Sequence, residues 1–379
     1  VTVLRNPVTA AYFRENASVG VVSQALIDAG YIEYIKRFFL RNENISERKL
    51  ILLFIVVFAL VSAFFQGIVI MLMIMPVICA MEKETNGRIS RKQMYMPLGF
   101  ASLFGGNFMI IGSSSMLNAV GQAEAFTGTR VSLGAPFFMG LAAVATLFLF
   151  YATVGYPYQH KIFTFESLEI TACGGRQEEH DPVSGYKKWM VLLVFLGCIA
   201  GFVSGMDTGY VSLAAAAVLI ALRCIDVSAA FASVDWSVVF TVTGCVAIGR
   251  GVESSGAGIF LANKIVELAG SLGRSPVGMC VIMLVISSLL SNFMSNNAAV
   301  TISVPIAMSI AVQLGADPVV YAVACGVGAN LSVATPLATT VTAIITSAGY
   351  RFSDYLAVGG LLNVLVLAAV SLSLKLFYF

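Results

Sequence analysis

Two long apolar runs, each interrupted near its centre, restrict this sequence to folds that a lipid bilayer can hold. Residues 50–81 and 281–312 both exceed the ~20 residues that a membrane-spanning helix needs. The first run is broken at Ser62–Gly67, and the second at Ser295-Asn296-Asn297. Polar groups without partners are costly in hydrocarbon, so a break at membrane depth must line a cavity or meet other protein groups. We therefore interpret each run as a re-entrant hairpin of two short helices.

The charges that flank the two runs predict that the hairpins open to opposite sides of the membrane. Five Lys and Arg residues lie in residues 31–49, before the first run, and four follow it in residues 83–92. Basic flanks remain cytoplasmic, and a single crossing cannot place both flanks on one side. The second run has few basic neighbours, so we expect its ends to lie outside.

Composition assigns the chain to a broad class. Of the 379 residues, 58% are hydrophobic and 11% are charged, and the mean hydropathy is +0.89. Soluble domains are about 25% charged, so we predict an all-α, multi-pass integral protein of the plasma (inner) membrane. Strand-length alternation typical of an outer-membrane barrel does not recur. The net charge of +2 gives no reason to expect a nucleic-acid partner.

The sequence also lacks the patterns of common enzymes. It contains no H-E-x-x-H, G-x-S-x-G or P-loop motif, so we do not expect an enzyme. Its seven cysteines are scattered without a C-x-x-C pair. We expect them to be small packing residues rather than disulfides or metal ligands.

The two halves share one order of parts: an amphipathic helix, a broken hairpin, a broken helix rich in Gly and Ser, and a final helix. With hairpins on opposite sides, this order predicts an inverted-topology repeat, with a binding site at the midplane. The predicted domains are residues 1–157 as the first repeat, 158–188 as a cytoplasmic linker and 189–379 as the second repeat. The second repeat has two extra crossings in residues 189–222, so about 40 residues are expected to be missing from the N-terminus of the first.

Several motifs together resemble one transporter family. Ser295-Asn296-Asn297-Ala298 resembles the Ser-Asn-Thr signature of a hairpin tip, and residues 336–343 resemble the pattern P-x-A-T-P-P-N-A. Gly105-Gly106 followed by residues 111–115 resembles G-G-x-x-x-L-I-G-T of the first half. The family is the divalent anion:sodium symporters, the citrate-transporter-like branch of the ion transporter superfamily.

The resemblance implies a homodimer in the lipid bilayer, with a scaffold and a transport domain that work by an elevator motion. It implies symport of a small anion, such as a di- or tricarboxylate or sulfate, with sodium or a proton as coupling ion and no other cofactor. Carried over by position, Ser295, Asn296 and Thr339 would hold sodium. The full set of candidate substrate- and ion-binding residues is Ser295, Asn296, Asn297, Thr339, Thr340, Thr342, Ser113, Ser114, Ser115, Gln66, Gly67 and Asn118.

The first half departs from the family pattern. Gln66-Gly67-Ile68 stands where a polar triplet is expected, and Met116 stands at the position of the family's Asn, with Asn118 two residues away. Thr342 takes the corresponding position in the second half. Helix N-termini can hold an anion without Lys or Arg, so the absence of basic residues from the tips does not exclude an anion site.

Two alternatives remain open at this point. An arsenite or Na⁺/H⁺ exchanger of the same superfamily would place an acidic residue in the core, but Glu15, Asp235 and Glu253 lie toward the ends of membrane segments. A decayed, non-transporting membrane protein would agree with the missing N-terminus and the lost triplet.

Overall fold

The computed structural model describes the greater part of the chain as helices. The described residues are 46–85, 87–163, 185–203, 208–232, 257–270, 275–337, 339–346 and 348–379, with the single residues 21, 25, 255 and 273. Within these ranges there is no strand, which confirms the all-α prediction for them. Glu15, Asp235, Glu253 and most of the predicted linker lie outside the described residues.

The chain forms two compact units. One consists of Val1–Glu43 with Gly175–Val246, and the other of Asn44–Gly174 with Ala247–Phe379. The first contains α7 (Gly185–Val203), α8 (Thr208–Ala221) and α9 (Val227–Ala232). In this unit α7 packs on α8, and a Cβ on Gly201 would lie 3.0 Å from a methyl carbon of Val211, so the glycine permits close approach.

The second unit holds the remaining helices, which in chain order are α1 (Glu47–Ser62), α2 (Gly67–Glu84), α3 (Arg91–Gly105), α4 (Ser114–Thr127), α5 (Phe137–Phe150), α6 (Tyr156–Ile162), α10 (Ala257–Ala269), α11 (Pro276–Phe293), α12 (Asn296–Gln313), α13 (Pro318–Asn330), α14 (Thr340–Thr346), α15 (Phe352–Asp354) and α16 (Gly360–Phe377). A π-helical turn joins α5 to α6 at Tyr151–Gly155, and another joins α15 to α16 at Tyr355–Gly359.

Several helices have the dimensions of membrane spans. Among the described residues, the continuous helical segments Phe137–Ile162, Pro276–Phe293 and Phe352–Phe377 are long and apolar enough to cross a bilayer. Their outward faces carry exposed apolar side chains such as Leu149, Leu289 and Leu365. Exposed apolar side chains on long apolar helices are expected of a protein whose solvent is lipid.

The predicted helix breaks are present in the structure. Residues 63–66 separate α1 from α2, and residues 294–295 separate α11 from α12. Residues 106–113, which include a 3₁₀ turn at Ile110–Gly112, separate α3 from α4, and residues 331–339 separate α13 from α14. Whether the hairpins are re-entrant, and whether the halves are inverted, stays a prediction.

The first arm of each hairpin contacts the adjacent broken helix in the same way. A Cβ on Gly105 would lie 2.4 Å from the Ala59 backbone, and a Cβ on Gly328 would lie 2.4 Å from the Leu284 carbonyl oxygen. The backbone carbonyl three residues before each glycine accepts a hydrogen bond from a serine of the first arm. In the first half, Ser62 donates to the carbonyl of Ser102.

Ser287 Oγ donates to the carbonyl oxygen of Cys325 at 2.7 Å. Ser62 follows Ala59 by three positions, as Ser287 follows Leu284, and Ser102 and Cys325 each precede their glycine by three. This correspondence places Asn107 and Asn330 at equivalent positions, two residues after Gly105 and Gly328. The second segment of each broken helix packs on the opposite half: α4 packs on α12 and α13, and α14 packs on α2 and α3.

Helix α3 shows how an interior proline is accommodated. Pro97 has no N–H and cannot bond to the carbonyl of Gln93, four residues earlier. Gln159 on α6 supplies the missing donor, since its Nε2 donates to that carbonyl at 2.8 Å. The compensation fixes the end of α6 against the start of α3.

The cysteines depart from expectation at one position. Cys198, Cys224, Cys280 and Cys325 are free and buried, as small packing residues would be. Cys79 is disulfide-bonded, so the expectation is wrong for it, because spacing along the chain does not reveal which thiols meet in space. The described residues contain no cluster of three His, Cys, Asp or Glu suited to a metal.

Candidate functional site

A cluster of hydroxyl and amide side chains joins the two halves of the second unit. We call it the amide cluster, and it consists of Asn107, Ser113, Ser115, Ser291, Asn296, Asn330 and Ser332. Its members come from the breaks in the two broken helices, the start of α4, the end of α13 and the tip of the second hairpin. The breaks therefore bring residues separated by more than 200 positions into contact.

Asn330 is the centre of this cluster. Its Nδ2 donates to Asn107 Oδ1 and to Ser113 Oγ, both at 2.7 Å. Its Oδ1 accepts from Ser115 Oγ at 2.6 Å and from Asn296 Nδ2 at 3.1 Å. One amide thus uses both ends to join three segments of the chain.

Asn296 connects this centre to the hairpin tip. Its Oδ1 accepts from Ser291 Oγ at 2.5 Å and lies 3.1 Å from Ser332 Oγ. Because α11 continues to Phe293, it extends beyond the point equivalent to the end of α1, and this extension supplies Ser291 and Asn292. Asn292 Oδ1 accepts from the backbone N–H of Ala334 at 3.0 Å and so holds the break after α13 against the tip.

Two helix N-termini meet beside the cluster. Ser113 caps α4 by accepting from Met116 N at 3.3 Å, and Ser295 caps α12 by accepting from Ala298 N at 3.3 Å. Asn297 Nδ2 lies 3.4 Å from Ser114 Oγ, which joins the first turns of the two helices. Each N-terminus carries roughly half a positive charge and N–H groups without helical partners.

The cluster is open on one side and closed on the other. Ser295 is exposed, and Ser113, Ser114, Asn296 and Asn297 are half-buried, whereas the other members of the amide cluster are buried. Two polar atoms in this region have no hydrogen-bond partner among the described residues: Asn107 Nδ2, a donor, and Asn297 Oδ1, an acceptor. None of the side chains in the cluster is titratable, so its attraction for ions rests on dipoles rather than on formal charge.

Comparison with known proteins identifies the family. The citrate transporter family, CitMHS, matches residues 17–326, which is most of the chain. The chain belongs to the citrate transporter family. The family prediction is therefore confirmed at this level, while the narrower assignment to divalent anion:sodium symporters stays a prediction.

Two further proteins similar to this citrate transporter family member are also transporters. The chain is 24% identical over 308 residues to the uncharacterized transporter MJ0672 of Methanocaldococcus jannaschii, covering 79% of this chain and 67% of that protein. Its fold resembles the YdaH transporter of Alcanivorax borkumensis with a TM-score of 0.59 and 14% identity, over 96% of this chain and 83% of the other. These relatives are transporters, which agrees with the expectation of a membrane transporter rather than an enzyme.

Seven of the predicted site residues lie in the amide cluster or beside it. Ser113, Ser115 and Asn296 belong to the amide cluster, and Ser114, Asn118 and Asn297 are bonded beside it. Ser295 caps the adjoining helix. The serines of the first half and the asparagines of the second half thus form one contiguous polar region.

The other predicted residues have different neighbours. Thr339 Oγ1 and Thr342 Oγ1 lie 3.0 Å apart and cap the start of α14, which begins at Thr340, and no hydrogen bond among the described residues joins them to the amide cluster. At the first tip, Gly67 opens α2, where a Cβ would lie 2.9 Å from Ser102 Oγ. Gln66 is half-buried beside it. These residues contribute no oxygen to the amide cluster.

Sequence reasoning missed Asn330, the centre of the cluster, and Ser332. A signal was present: Gly105-Gly106-Asn107 and Gly328-Ala329-Asn330 share the pattern Gly-x-Asn at the ends of α3 and α13. In both, the glycine permits contact with the hairpin and the asparagine follows at the break. The two asparagines bond to each other, so equivalent residues meet at the centre of the second unit.

Proposed function

We propose that the protein is a secondary active symporter that moves a small anion, such as a di- or tricarboxylate or sulfate, together with a cation. Membership of the citrate transporter family supports transport. The anion and the coupling ion are inferred from the chemistry of the site. The observation that carries the proposal is the meeting of the N-termini of α4 and α12 at a half-open polar cluster.

The convergent N-termini suit an oxyanion. First-turn N–H groups and serine hydroxyls donate hydrogen bonds, and the two helix dipoles favour negative charge. Ser114, Ser295 and Asn297 lie on the accessible side and would contact the anion directly. A carboxylate or sulfate matches these donors because its oxygens are acceptors only.

The same cluster offers oxygens to a cation. Asn297 Oδ1 is an acceptor without a donor, and the carbonyls and hydroxyls of broken helices are the ligands that transporters present to sodium. Asn296 and Ser295 adjoin it. In contrast, Thr342 Oγ1 already bonds to Thr339 and lies 3.2 Å from the Pro336 carbonyl. We therefore propose one coupling cation per chain, held near Asn296 and Asn297 rather than at Thr339.

The proposed architecture is an inverted repeat that works by an elevator motion in a homodimer of the plasma membrane. The equivalent contacts at Gly105 and Gly328 and the crossed positions of α4 and α14 support the repeat. An arsenite or Na⁺/H⁺ exchanger has less support, because it would need an acidic residue in the core. The one buried carboxylate among the described residues, Asp354, instead accepts from the backbone N–H of Arg351 at the start of α15.

The test is uptake into proteoliposomes that contain the purified protein. Radiolabelled citrate, succinate and sulfate are offered separately under an inward sodium gradient or an inward proton gradient. We expect one of these anions to accumulate only when a cation gradient is present. Asn296→Ala is expected to lower uptake more than about a hundredfold, since it removes the hydrogen bonds to Ser291 and Asn330 beside the ligand.

A matched variant controls for loss of any buried amide. Asn363 is buried in α16 and is not a member of the amide cluster, and its Oδ1 lies 3.4 Å from Ser288 Oγ. Asn363→Ala is expected to retain uptake within about threefold. Equal loss in both variants, or full uptake in Asn296→Ala, would contradict the assignment of the site. Uptake without any cation gradient would contradict symport.

A further inference from the structure

A line of polar side chains extends from the amide cluster between two helices. We call it the polar seam, and it consists of Ser114, Asn118 and Gln122 on α4 with Asn297 and Thr301 on α12. Members on each helix are four residues apart, which places them on one face. From Ser114 to Gln122 the seam runs about 12 Å along α4.

The hydrogen bonds of the seam fix the orientation of its amides. Asn118 Nδ2 faces two acceptors, the carbonyl of Asn297 at 3.3 Å and Thr301 Oγ1 at 3.4 Å. Thr301 Oγ1 is an acceptor there because it donates its own hydrogen to the Asn297 carbonyl at 2.7 Å. Asn118 Oδ1 must therefore face Gln122, whose Nε2 donates to it at 3.0 Å.

This orientation leaves an acceptor without a donor at the far end of the seam. Gln122 is 3% exposed, and its Oε1 has no hydrogen-bond partner. Reversing the Gln122 amide would set two oxygens against each other, so the unpaired atom is the oxygen. Asn297 Oδ1, at the near end, is also an acceptor without a donor.

Two unpaired acceptors are not what interhelical packing alone requires. Most buried polar side-chain atoms in proteins have a hydrogen-bond partner, and one without a partner calls for an explanation such as a water or an ion. Water or a cation is the partner that such oxygens accept when protein donors are lacking. Gln122 also lies near the C-terminal end of α4, where residues 128–130 are exposed.

We propose that the polar seam is the route by which the coupling cation, with its water, passes between the amide cluster and the end of α4. The ligand class is a hydrated monovalent cation. The oxygens of Asn297, Thr301 and Gln122 would replace part of its hydration shell in succession. This inference rests on the proposed function, since it requires a cation-coupled transporter.

The decisive variant is Gln122→Met, which keeps the length of the side chain and removes the acceptor. Two quantities are measured on each preparation: the initial rate of sodium-driven anion uptake, and the sodium concentration that gives half of the sodium-dependent thermal stabilisation. We expect the rate to fall about tenfold or more while the half-saturating concentration changes less than about twofold.

The control is Gln93→Met. Gln93 is equally buried, and its Oε1 likewise has no partner, but it lies on α3 beside His160 and outside the seam. We expect this variant to keep the uptake rate within about twofold. If Gln122→Met does not fold, Thr301→Val replaces it, since it removes a seam hydroxyl with little change of shape.

The possible outcomes separate the two proposals. Normal uptake rates in Gln122→Met and Thr301→Val overturn the seam as a route, with the proposed function intact. A loss that is equal in Gln93→Met overturns it too, because the effect then belongs to any buried glutamine. Uptake by the unsubstituted protein that needs no cation overturns the proposed function, and the route with it.

Discussion

The two hairpin tips differ in what they offer a ligand, although the helices behind them meet their partners in the same way. At the second tip, α11 continues to Phe293 and supplies Ser291 to a network that includes Asn296 and Asn330. At the first tip, α1 ends at Ser62, whose hydroxyl bonds to the backbone of α3. The contacts between a hairpin and its own broken helix are thus common to both halves, whereas the polar side chains of the proposed site gather at one tip.

The asparagines at the ends of α3 and α13 show the same difference. Asn330 uses both ends of its amide, with four side-chain partners. Asn107, at the equivalent position, accepts one bond from Asn330 and leaves its Nδ2 without a partner. The two equivalent asparagines therefore have different hydrogen-bonding roles.

The largest expected effect comes from Asn330→Ala. This change removes the shared partner of Ser113, Ser115 and Asn296 at once, so we expect anion uptake to fall more than about a hundredfold. Asn107→Ala, the matched change in the first half, removes a single bond and is expected to lower uptake about tenfold. Uptake in proteoliposomes measures both. Equal losses would contradict the asymmetry between the two ends.

A smaller effect, on stability, tests what the halves have in common. A Cβ at Gly105 or Gly328 would come within 2.4 Å of hairpin backbone. Gly105→Ala and Gly328→Ala are therefore each expected to destabilise the protein by about 1–3 kcal/mol. Thermal unfolding in detergent gives the comparison.

The control for these glycines is Gly134→Ala, because a Cβ there meets nothing within 4 Å. Its unfolding temperature should equal that of the unsubstituted protein. If one of the two interior glycines tolerated alanine as well as Gly134 does, the two hairpins would not be held equivalently.

The smallest expected effect comes from the paired serines. Ser62→Ala and Ser287→Ala each remove a hydroxyl bonded to a backbone carbonyl, and each is expected to cost about 0.6–1 kcal/mol. Neither should alter the cation dependence of uptake. A change in cation affinity in Ser62→Ala would show that the first tip takes part in binding after all.

The fold was predictable where local chemistry decides it. Apolar runs longer than a span predicted the helices, and Gly67, Gly105 and Ser295 marked breaks that the structure contains, because polar and flexible residues at membrane depth end a helix. The membrane class followed from composition. These features depend on neighbours in the chain, so the sequence displays them directly.

The site was predictable only in part, because its geometry depends on contacts between distant segments. Asn296 and Ser113 stand out as polar residues at breaks, but the bonds from Asn330 to Asn107 and Ser113 join positions 223 and 217 residues apart. Carrying residues over by position grouped Thr339 with the second tip, whereas its hydroxyl bonds to Thr342. Sequence spacing cannot show which partner the hydroxyl of a residue such as Thr339 contacts in the folded chain.

The most direct test of the central account, that one of the two tips binds the coupling ion, is the number of cations bound per chain. Sodium is titrated into the purified protein in detergent at saturating anion, and the stoichiometry is read by calorimetry, with Asn296→Ala and Gln66→Ala in parallel. We expect one sodium ion per chain, lost in Asn296→Ala and retained in Gln66→Ala. Two ions per chain, or binding that survives Asn296→Ala, would contradict the account.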